Sequence, residues 1–131
     1  SQALNSEALE VYKGIDDFMV VLEDEAAIAN NNPDFSLIKS MDSRGLIITA
    51  KGEEVDFVSR WYGPQTGINE DPATGSAHAL LATYWSKILN KSELNARQLS
   101  KRVGHLKCEV KDDLVEITGE AKLYLKGNIQ V

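Results

Sequence analysis

The densest group of reactive side chains lies in residues 70–78, whose sequence is EDPATGSAH. Two carboxylates, Glu70 and Asp71, precede two hydroxyls, Thr74 and Ser76, and the remaining small residues leave room for a ligand. A carboxylate at such a place can act as a general acid, as a general base or as a cap for a following helix. This stretch is therefore the first candidate for a functional site.

A long helix is predicted to begin inside that stretch and to extend over residues 75–89. Apolar residues recur at helical spacing in this range: Ala77, Leu80, Leu81, Tyr84, Trp85 and Ile88. The first N–H groups of a helix have no intrahelical partner, and with the helix dipole they favour an anion. Gly75 and Ser76 are small enough for an anion to approach these donors. The residues alone leave a structural alternative open, in which Asp71 or Thr74 caps the helix and the glycines only form the turn.

The same stretch resembles the signature of the phenazine-biosynthesis PhzF-like proteins, a family with the diaminopimelate-epimerase fold. The resemblance extends over nearly the whole chain, through residues 34–36, 55–60, 67–68, 84–85 and 108–110. It implies two similar domains, each a sheet curled around a central helix, with the active site in the cleft between them. Residues 1–131 resemble the second, C-terminal domain only and are predicted to form a single domain.

The resemblance also implies roles for individual residues. Asp71 matches the acidic residue of the second domain that faces the substrate and handles protons or hydrogen bonds, and is the predicted catalytic residue. Gly75 and Ser76 match the turn that holds a substrate carboxylate with backbone N–H groups, and Thr74 is predicted to bind substrate with them. The family's general base is a glutamate of the first domain, where a histidine assists it, and neither has a counterpart in this chain.

Two functions are consistent with this resemblance. The first is the second half of a cofactor-independent isomerase that removes and returns a proton beside a carboxylate, inactive until a complementary domain is present. The alternative is a standalone, non-catalytic binding or assembly module of the same fold, able to pair as a pseudo-symmetric homodimer. The predicted partners are a small carboxylate or other anion, and a complementary domain or a second copy of the chain.

The lone cysteine bears on the type of reaction. Epimerases of this fold use one thiol from each domain, and Thr74 stands where the thiol of the second domain would be. Cys108 alternates with Leu106 and Val110 in a predicted strand, so it is interpreted as a small core residue. A two-thiol racemase is therefore not expected.

The remaining candidates are weaker. His78 either hydrogen-bonds across the cleft or is a satisfied or exposed histidine, and His105 is predicted to face solvent. Because no ligand cluster surrounds either histidine, no metal site is predicted. Arg102 begins a stretch resembling a family Arg-Gly-Gly sequence, but valine replaces the middle glycine. Residues 61–62, Trp-Tyr, either line the cleft or pack in the core.

The pattern of strands around the predicted helix indicates an α+β domain. Strands are predicted within residues 11–22, 46–50 and 55–62, and again from 105 with the alternation continuing to Leu125. Two short helices are predicted within residues 23–30 and 34–41, and residues 93–102 form at most a weak strand. The long helix is apolar around most of its circumference, so we expect a mostly antiparallel sheet to enclose it.

Length and composition exclude other classes of protein. A chain of 131 residues with 43% apolar and 26% charged residues is typical of one globular domain. Its net charge of −6 and pI near 4.9 disfavour binding to nucleic acid or to a membrane surface. A single cysteine, no apolar stretch long enough for a bilayer and no visible signal peptide lead us to expect a cytoplasmic protein.

Overall fold

Eight strands form one mixed sheet in a computed structural model that describes residues 2–131. The strands are β1 (Glu10–Lys13), β2 (Asp17–Val21), β3 (Gly45–Lys51), β4 (Phe57–Gly63), β5 (Ile68–Glu70), β6 (Glu93–Gln98), β7 (Gly104–Lys111) and β8 (Leu114–Thr118). The helices are α1 (Glu25–Ala29), α2 (Phe35–Lys39) and α3 (Ala77–Leu89), with short 3-10 helices at Gln2–Leu4 and Pro64–Thr66. The fold is therefore α+β, as predicted.

The order of strands across the sheet is β1-β2-β3-β4-β6-β7-β8, and β5 pairs with β4 beside this path. Strands β2 and β3 are parallel, as are β4 and β6, and the other neighbours are antiparallel. Parallel neighbours need a crossover connection, because the chain must return to the same end of the sheet. The crossover from β4 to β6 contains β5, residues 71–76 and α3, so this crossover carries the predicted site.

Two apolar clusters cover the two faces of the central strands. On β3, Ile47 points into a cluster with Leu81 and Trp85 of α3, whereas Ile48 points into a cluster with Ile28 of α1. Successive side chains of a strand face opposite sides, so a strand covered on both faces is apolar without interruption. The same alternation buries Trp61 and Tyr62 on opposite faces. Core packing is therefore the correct alternative for this pair, and lining of a cleft is wrong.

Helix α3 differs from its prediction in how much of it is covered. It begins at Ala77 rather than Gly75, and Asn90 ends it in the left-handed conformation at φ 52°. Leu81, Ala82 and Trp85 are buried, whereas the opposite side is exposed, with Ile88 at 56%. The expectation that the helix is enclosed around most of its circumference is wrong for the described residues. The physical reason is that β1 and β8 are free edges, so the sheet does not close around α3.

The other elements follow the predictions with one exception. The short helices form and are capped by Asp24 and Asp34, whose carboxylates accept from N–H groups of the first turn. The weak strand in residues 93–102 forms as β6. The continuation of the last strand to Leu125 is wrong, because β8 ends at Thr118 and residues 119–131 are exposed without regular structure. Within the described part of the chain, every helix is too short or too polar to cross a bilayer.

Candidate functional site

Residues 71–76 connect β5 to α3 and rest on the neighbouring end of the sheet. Ser100 Oγ donates to the Pro72 carbonyl at 2.7 Å, which holds the connection beside the end of β6. Gly104, the first residue of β7, lies so close that a Cβ atom there would be 2.9 Å from the Cβ atom of Ala73. A side chain at position 104 would displace the connection, so the glycine permits this close approach. Although valine replaces the middle glycine of the Arg-Gly-Gly stretch, Gly104 still allows the backbone of residues 72–73 to approach β7 closely.

The two adjacent carboxylates of the motif have different surroundings. Glu70 accepts from Nε and Nη2 of Arg60 at 2.7 and 2.9 Å. Arg60 Nη1 also donates to the carbonyl groups of Ile28 and Asn31, at 3.2 and 2.9 Å. Because this bidentate pair ties β4 and β5 to the end of α1, the carboxylate of Glu70 is used to hold the fold. Asp71 is the carboxylate of this pair that forms no ion pair within residues 2–131, and it is the better candidate for a functional role.

Asp71 is held by a network around Thr74 and Gln98. The Thr74 hydroxyl donates to Asp71 Oδ2 at 2.6 Å. Gln98 Nε2 donates to Thr74 Oγ1 at 3.0 Å and to the Asp71 carbonyl at 2.9 Å, and Gln98 Oε1 accepts the Thr74 N–H at 2.8 Å. A threonine hydroxyl has one proton, so by accepting from Gln98 it directs that proton to Asp71. Asp71 Oδ1 accepts no hydrogen bond from residues 2–131 and remains available to a ligand.

Sequence reasoning did not find Gln98, although its position carries a signal. Leu94, Ala96 and Gln98 share one face of β6 and are all buried, Gln98 with 1% exposure. A buried amide in an apolar row needs hydrogen-bond partners, because an unpaired one costs free energy. Residues 93–102 are only weakly predicted to form a strand, so the period of two that places Gln98 on the buried face is not apparent from the sequence.

His78 lies in the first turn of α3 and is fully buried. Its Nδ1 lies 2.7 Å from the Thr74 carbonyl oxygen, so Nδ1 carries the proton and donates. Nε2 has no partner in the described residues, and burial lowers the pKa of His78, which keeps the ring neutral. His78 is therefore neither exposed nor directed across a cleft in this structure, but fixes the Thr74 carbonyl from inside the domain.

The start of α3 is open to solvent. Ser76 occupies the N-cap position, but its side chain accepts no hydrogen bond from the N–H groups of the first turn, so the helix has no side-chain cap. Gly75 and Ser76 are exposed, and no heavy atom lies within 4 Å of a Cβ position built on Gly75. The alternative in which Asp71 or Thr74 caps the helix is therefore wrong in this structure, because these two side chains bind each other.

Arg44 is a second residue that sequence reasoning missed at this place. Its Nη2 donates to Ser76 Oγ at 3.0 Å and to Asp17 Oδ2 at 2.7 Å. Its guanidinium also lies 5.6 Å from the ring centroid of Trp61. The Arg44 guanidinium, whose charge is paired with Asp17, thus lies next to the open helix start, from a loop 32 positions away in the chain. No local spacing could have indicated this.

The remaining candidates lie outside this group. Cys108 is buried in the cluster beneath α3, as predicted, and burial raises the pKa of its thiol to about 11, so the thiol is neutral and unreactive at neutral pH. His105 is exposed, as predicted, and so is Arg102, whose carbonyl accepts from Ser100 Oγ at 3.2 Å. Within residues 2–131, no group of His, Cys, Asp and Glu side chains could hold a metal ion.

Comparison with known proteins identifies the family. The family model described as phenazine biosynthesis-like protein matches residues 3–127. The chain therefore belongs to the PhzC/PhzF phenazine biosynthesis-like family.

Relatives and solved structures agree with this assignment. The chain is 46% identical over 130 residues to a protein of Pseudomonas aeruginosa named an uncharacterized isomerase, covering 99% of this chain and 50% of the relative. It is 42% identical over 112 residues to the mouse phenazine biosynthesis-like domain-containing protein 1, covering 80% of this chain and 39% of that protein.

Two crystal structures of the family share the fold. A PhzF-family protein of Enterococcus faecalis superposes with a TM-score of 0.81 at 46% identity, over 92% of this chain and 50% of that one. A phenazine biosynthesis PhzC/PhzF protein of Clostridium difficile superposes with a TM-score of 0.85 at 42% identity, over 95% of this chain and 48% of that one. The chain thus spans about half the length of the relatives it matches.

Proposed function

We propose that this chain is one half of a PhzF-like, cofactor-independent isomerase and supplies Asp71 and a carboxylate-binding helix start to an active site between two domains. The other half would be a similar domain of the diaminopimelate-epimerase type, provided by a complementary domain. Three relatives that match this chain are named isomerases, and the chain covers 50%, 50% and 43% of their lengths. These names and lengths support an isomerase of which this chain is a part.

One observation carries the proposal: the carboxylate of Asp71 bonds to Thr74 and leaves the start of α3 uncapped. The backbone N–H groups of Gly75 and Ser76 are thereby free to bind the carboxylate of a substrate. The small side chains at these two positions let that carboxylate approach. Arg44, whose charge is paired with Asp17, donates a hydrogen bond to Ser76 Oγ at the same place. These N–H groups would stabilise the negative charge that spreads onto the substrate carboxylate when a proton is removed from the neighbouring carbon.

Asp71 would transfer the proton. Its Oδ2 is held by Thr74, and its Oδ1 is free to accept a proton from a ligand or to return one. Gln98 would take no part in the proton transfer. It positions Thr74, and through Thr74 it positions the carboxylate of Asp71. The second proton-transfer group would come from the complementary domain, where the family resemblance implies a glutamate.

The experiment that tests the anion site is an NMR titration of the isolated chain with sulfate or a small carboxylate. We expect the amide signals of Gly75 and Ser76 to move at millimolar anion, with the signal of Gly119 as a distant reference. Asp71→Asn should retain the shifts, because Asp71 is not the cap. Asp113→Asn removes the same charge from an exposed turn and is the matched control. No movement in any of these proteins would return residues 70–78 to a purely structural role.

A second experiment tests the need for a complementary domain. We expect the isolated chain to catalyse no incorporation of solvent deuterium into small carboxylic acids, because the implied glutamate and its assisting histidine are not in this chain. Incorporation well above background that disappears in Asp71→Asn, but persists in Asp113→Asn, would show that the chain is active alone. That result would contradict the two-domain part of the proposal.

A further inference from the structure

An ion pair between the starts of two parallel strands lies beside the proposed anion site. Arg44, which precedes β3, places its Nη2 atom 2.7 Å from Oδ2 of Asp17, the first residue of β2, and its Nε atom donates to Asp17 Oδ1 at 3.3 Å. The Asp17 side chain is only 6% exposed, so its charge needs a neighbouring cation. The pairing of Asp17 with Gly45 in the sheet, and a bond of 2.7 Å from the Arg44 N–H to the Asp16 carbonyl, bring the two side chains together.

A buried indole also supports this guanidinium. The carbon at the centre of the Arg44 guanidinium lies 5.6 Å from the ring centroid of Trp61. Gly45 leaves room for the indole, because a Cβ atom at this position would lie 2.5 Å from a ring atom of Trp61. A planar guanidinium that pairs with a carboxylate and packs on an aromatic ring keeps few orientations. The direction of its remaining hydrogen bonds is therefore fixed.

The remaining hydrogen bond of Arg44 reaches the hydroxyl of Ser76. Arg44 Nη2 donates to Ser76 Oγ at 3.0 Å. A serine hydroxyl carries one proton, so an oxygen that accepts from arginine directs its own proton elsewhere. No group of residues 2–131 accepts that proton, and Ser76 is exposed. Asp17, Arg44 and Ser76 line one cavity of about 350 Å³, so the proton of Ser76 Oγ is available to a ligand that occupies it.

We propose that Arg44, held by Asp17, is a positioning residue that orients the Ser76 hydroxyl to donate its proton to the substrate carboxylate. The hydroxyl would then bind that carboxylate together with the backbone N–H groups of Gly75 and Ser76. The inference rests on the proposed function and adds to it a further donor and the residue that directs this donor. Because the charge of Arg44 is paired with Asp17, Arg44 acts through the direction of a hydrogen bond rather than through an unpaired charge.

The test is an NMR titration of the full chain with sodium acetate, in which the amide signals of Gly75 and Ser76 report binding. Asp17→Asn combined with Arg44→Met removes the ion pair without leaving a buried charge and without changing the net charge. We expect this double variant to bind acetate about three- to tenfold more weakly than the parent, which is the effect of about one hydrogen bond.

An exposed ion pair provides the matched control. Glu116→Gln combined with Lys111→Met makes the same kind of change in the pair between β7 and β8 and should leave the acetate dissociation constant within about twofold. Arg44→Lys serves if the double variant does not fold, since it keeps a charge beside Asp17. The shorter lysine side chain lacks the fork with which Arg44 contacts two groups at once, so we expect a similar loss of affinity.

Repeating the change in a chain without the hydroxyl separates positioning from a merely structural role. If Arg44 acts through Ser76, then Ser76→Ala alone should weaken acetate binding by a similar factor. Removing the Asp17–Arg44 pair from the Ser76→Ala chain should then cost less than about a further twofold, because the two changes affect one interaction. A structural role of the pair would instead produce the same loss with and without the hydroxyl.

Three results would overturn the inference and leave the anion site intact. They are equal acetate affinity in the parent and in the chain without the ion pair, equal affinity in the parent and in Ser76→Ala, and a loss from removal of the pair that is as large in Ser76→Ala as in the parent. The absence of any acetate-dependent shift in the parent would instead contradict the anion site itself, and with it the proposed function. Failure of one proposal is therefore distinguishable from failure of the other.

Discussion

Thr74 and Gln98 lie 24 positions apart in the chain and bind each other twice. The Thr74 N–H donates to Gln98 Oε1 at 2.8 Å, and Gln98 Nε2 donates to Thr74 Oγ1 at 3.0 Å. These two bonds leave the threonine hydroxyl only one direction for its own proton, towards Asp71 at 2.6 Å. The orientation of the proposed catalytic carboxylate therefore depends on an amide from a different strand.

Replacing this amide should destabilise the domain. In Gln98→Leu the buried Thr74 N–H loses its acceptor and the Thr74 hydroxyl loses the donor from Gln98, so we expect the free energy of unfolding to fall by about 2–3 kcal/mol. Urea denaturation measures it. Asn95→Leu makes the same change at an exposed position of β6 and should alter stability by less than about 0.5 kcal/mol. Equal losses in the two variants would show that the network contributes no stability.

Removing the charge of Glu70 should have a different, purely structural effect. Glu70→Gln leaves Arg60 without its carboxylate, and the two side chains are 20% and 14% exposed. We expect a loss of about 1–3 kcal/mol in the free energy of unfolding, less than for a fully buried ion pair. Glu116→Gln removes one partner of the exposed pair with Lys111 and should cost less than about 1 kcal/mol. The Gly75 and Ser76 amide response to sulfate should persist in Glu70→Gln, and its loss would contradict the separation of roles.

Stability should depend on pH through His78. Burial lowers the pKa of His78 in the folded state below the ordinary value of 6.5, so below about pH 6.5 the unfolded state binds a proton that the folded state does not. The contribution of neutral His78 is thus complete above that pH and is lost as the pH falls. We expect the difference in unfolding free energy between pH 7.5 and pH 5 to be smaller in His78→Gln than in the parent. His105→Gln, at an exposed position, should leave the difference unchanged, and an equal effect of both substitutions would refute the assignment.

Two glycines near the site should respond to alanine with opposite signs. Gly104→Ala places a Cβ atom 2.9 Å from that of Ala73 and should destabilise the domain by about 1–3 kcal/mol, with shifts in the amide signals of residues 72–75. Gly75→Ala meets no atom within 4 Å and should be neutral or stabilising by up to about 1 kcal/mol, because alanine restricts the unfolded chain. Thermal unfolding of both variants measures the contrast. A destabilised Gly75→Ala would show that the open helix start is not open in solution.

Much of the local structure is determined by the sequence itself. The period-two rows predict the central strands, and the helical spacing predicts α3. The sequence offers Asp34 or Ser36 as the cap of the second short helix, and Asp34 is the cap in the structure. The motif in residues 70–78 also places the candidate site at the start of α3, since local spacing decides which backbone donors lie at a helix end. Burial of Cys108 and exposure of His105 follow from the same alternation.

The tertiary structure decided which of these side chains meet at the candidate site. Glu70 and Asp71 are neighbours with the same chemistry, and only the position of Arg60 across the sheet separates their roles. Gln98 and Arg44 reach the site from distant parts of the chain, which no local pattern specifies. The exposed side of α3 and residues 119–131 have apolar sequences that predict burial, but burial requires a covering surface. A sequence states how apolar a face is, whereas the arrangement of the whole chain decides whether that face is covered.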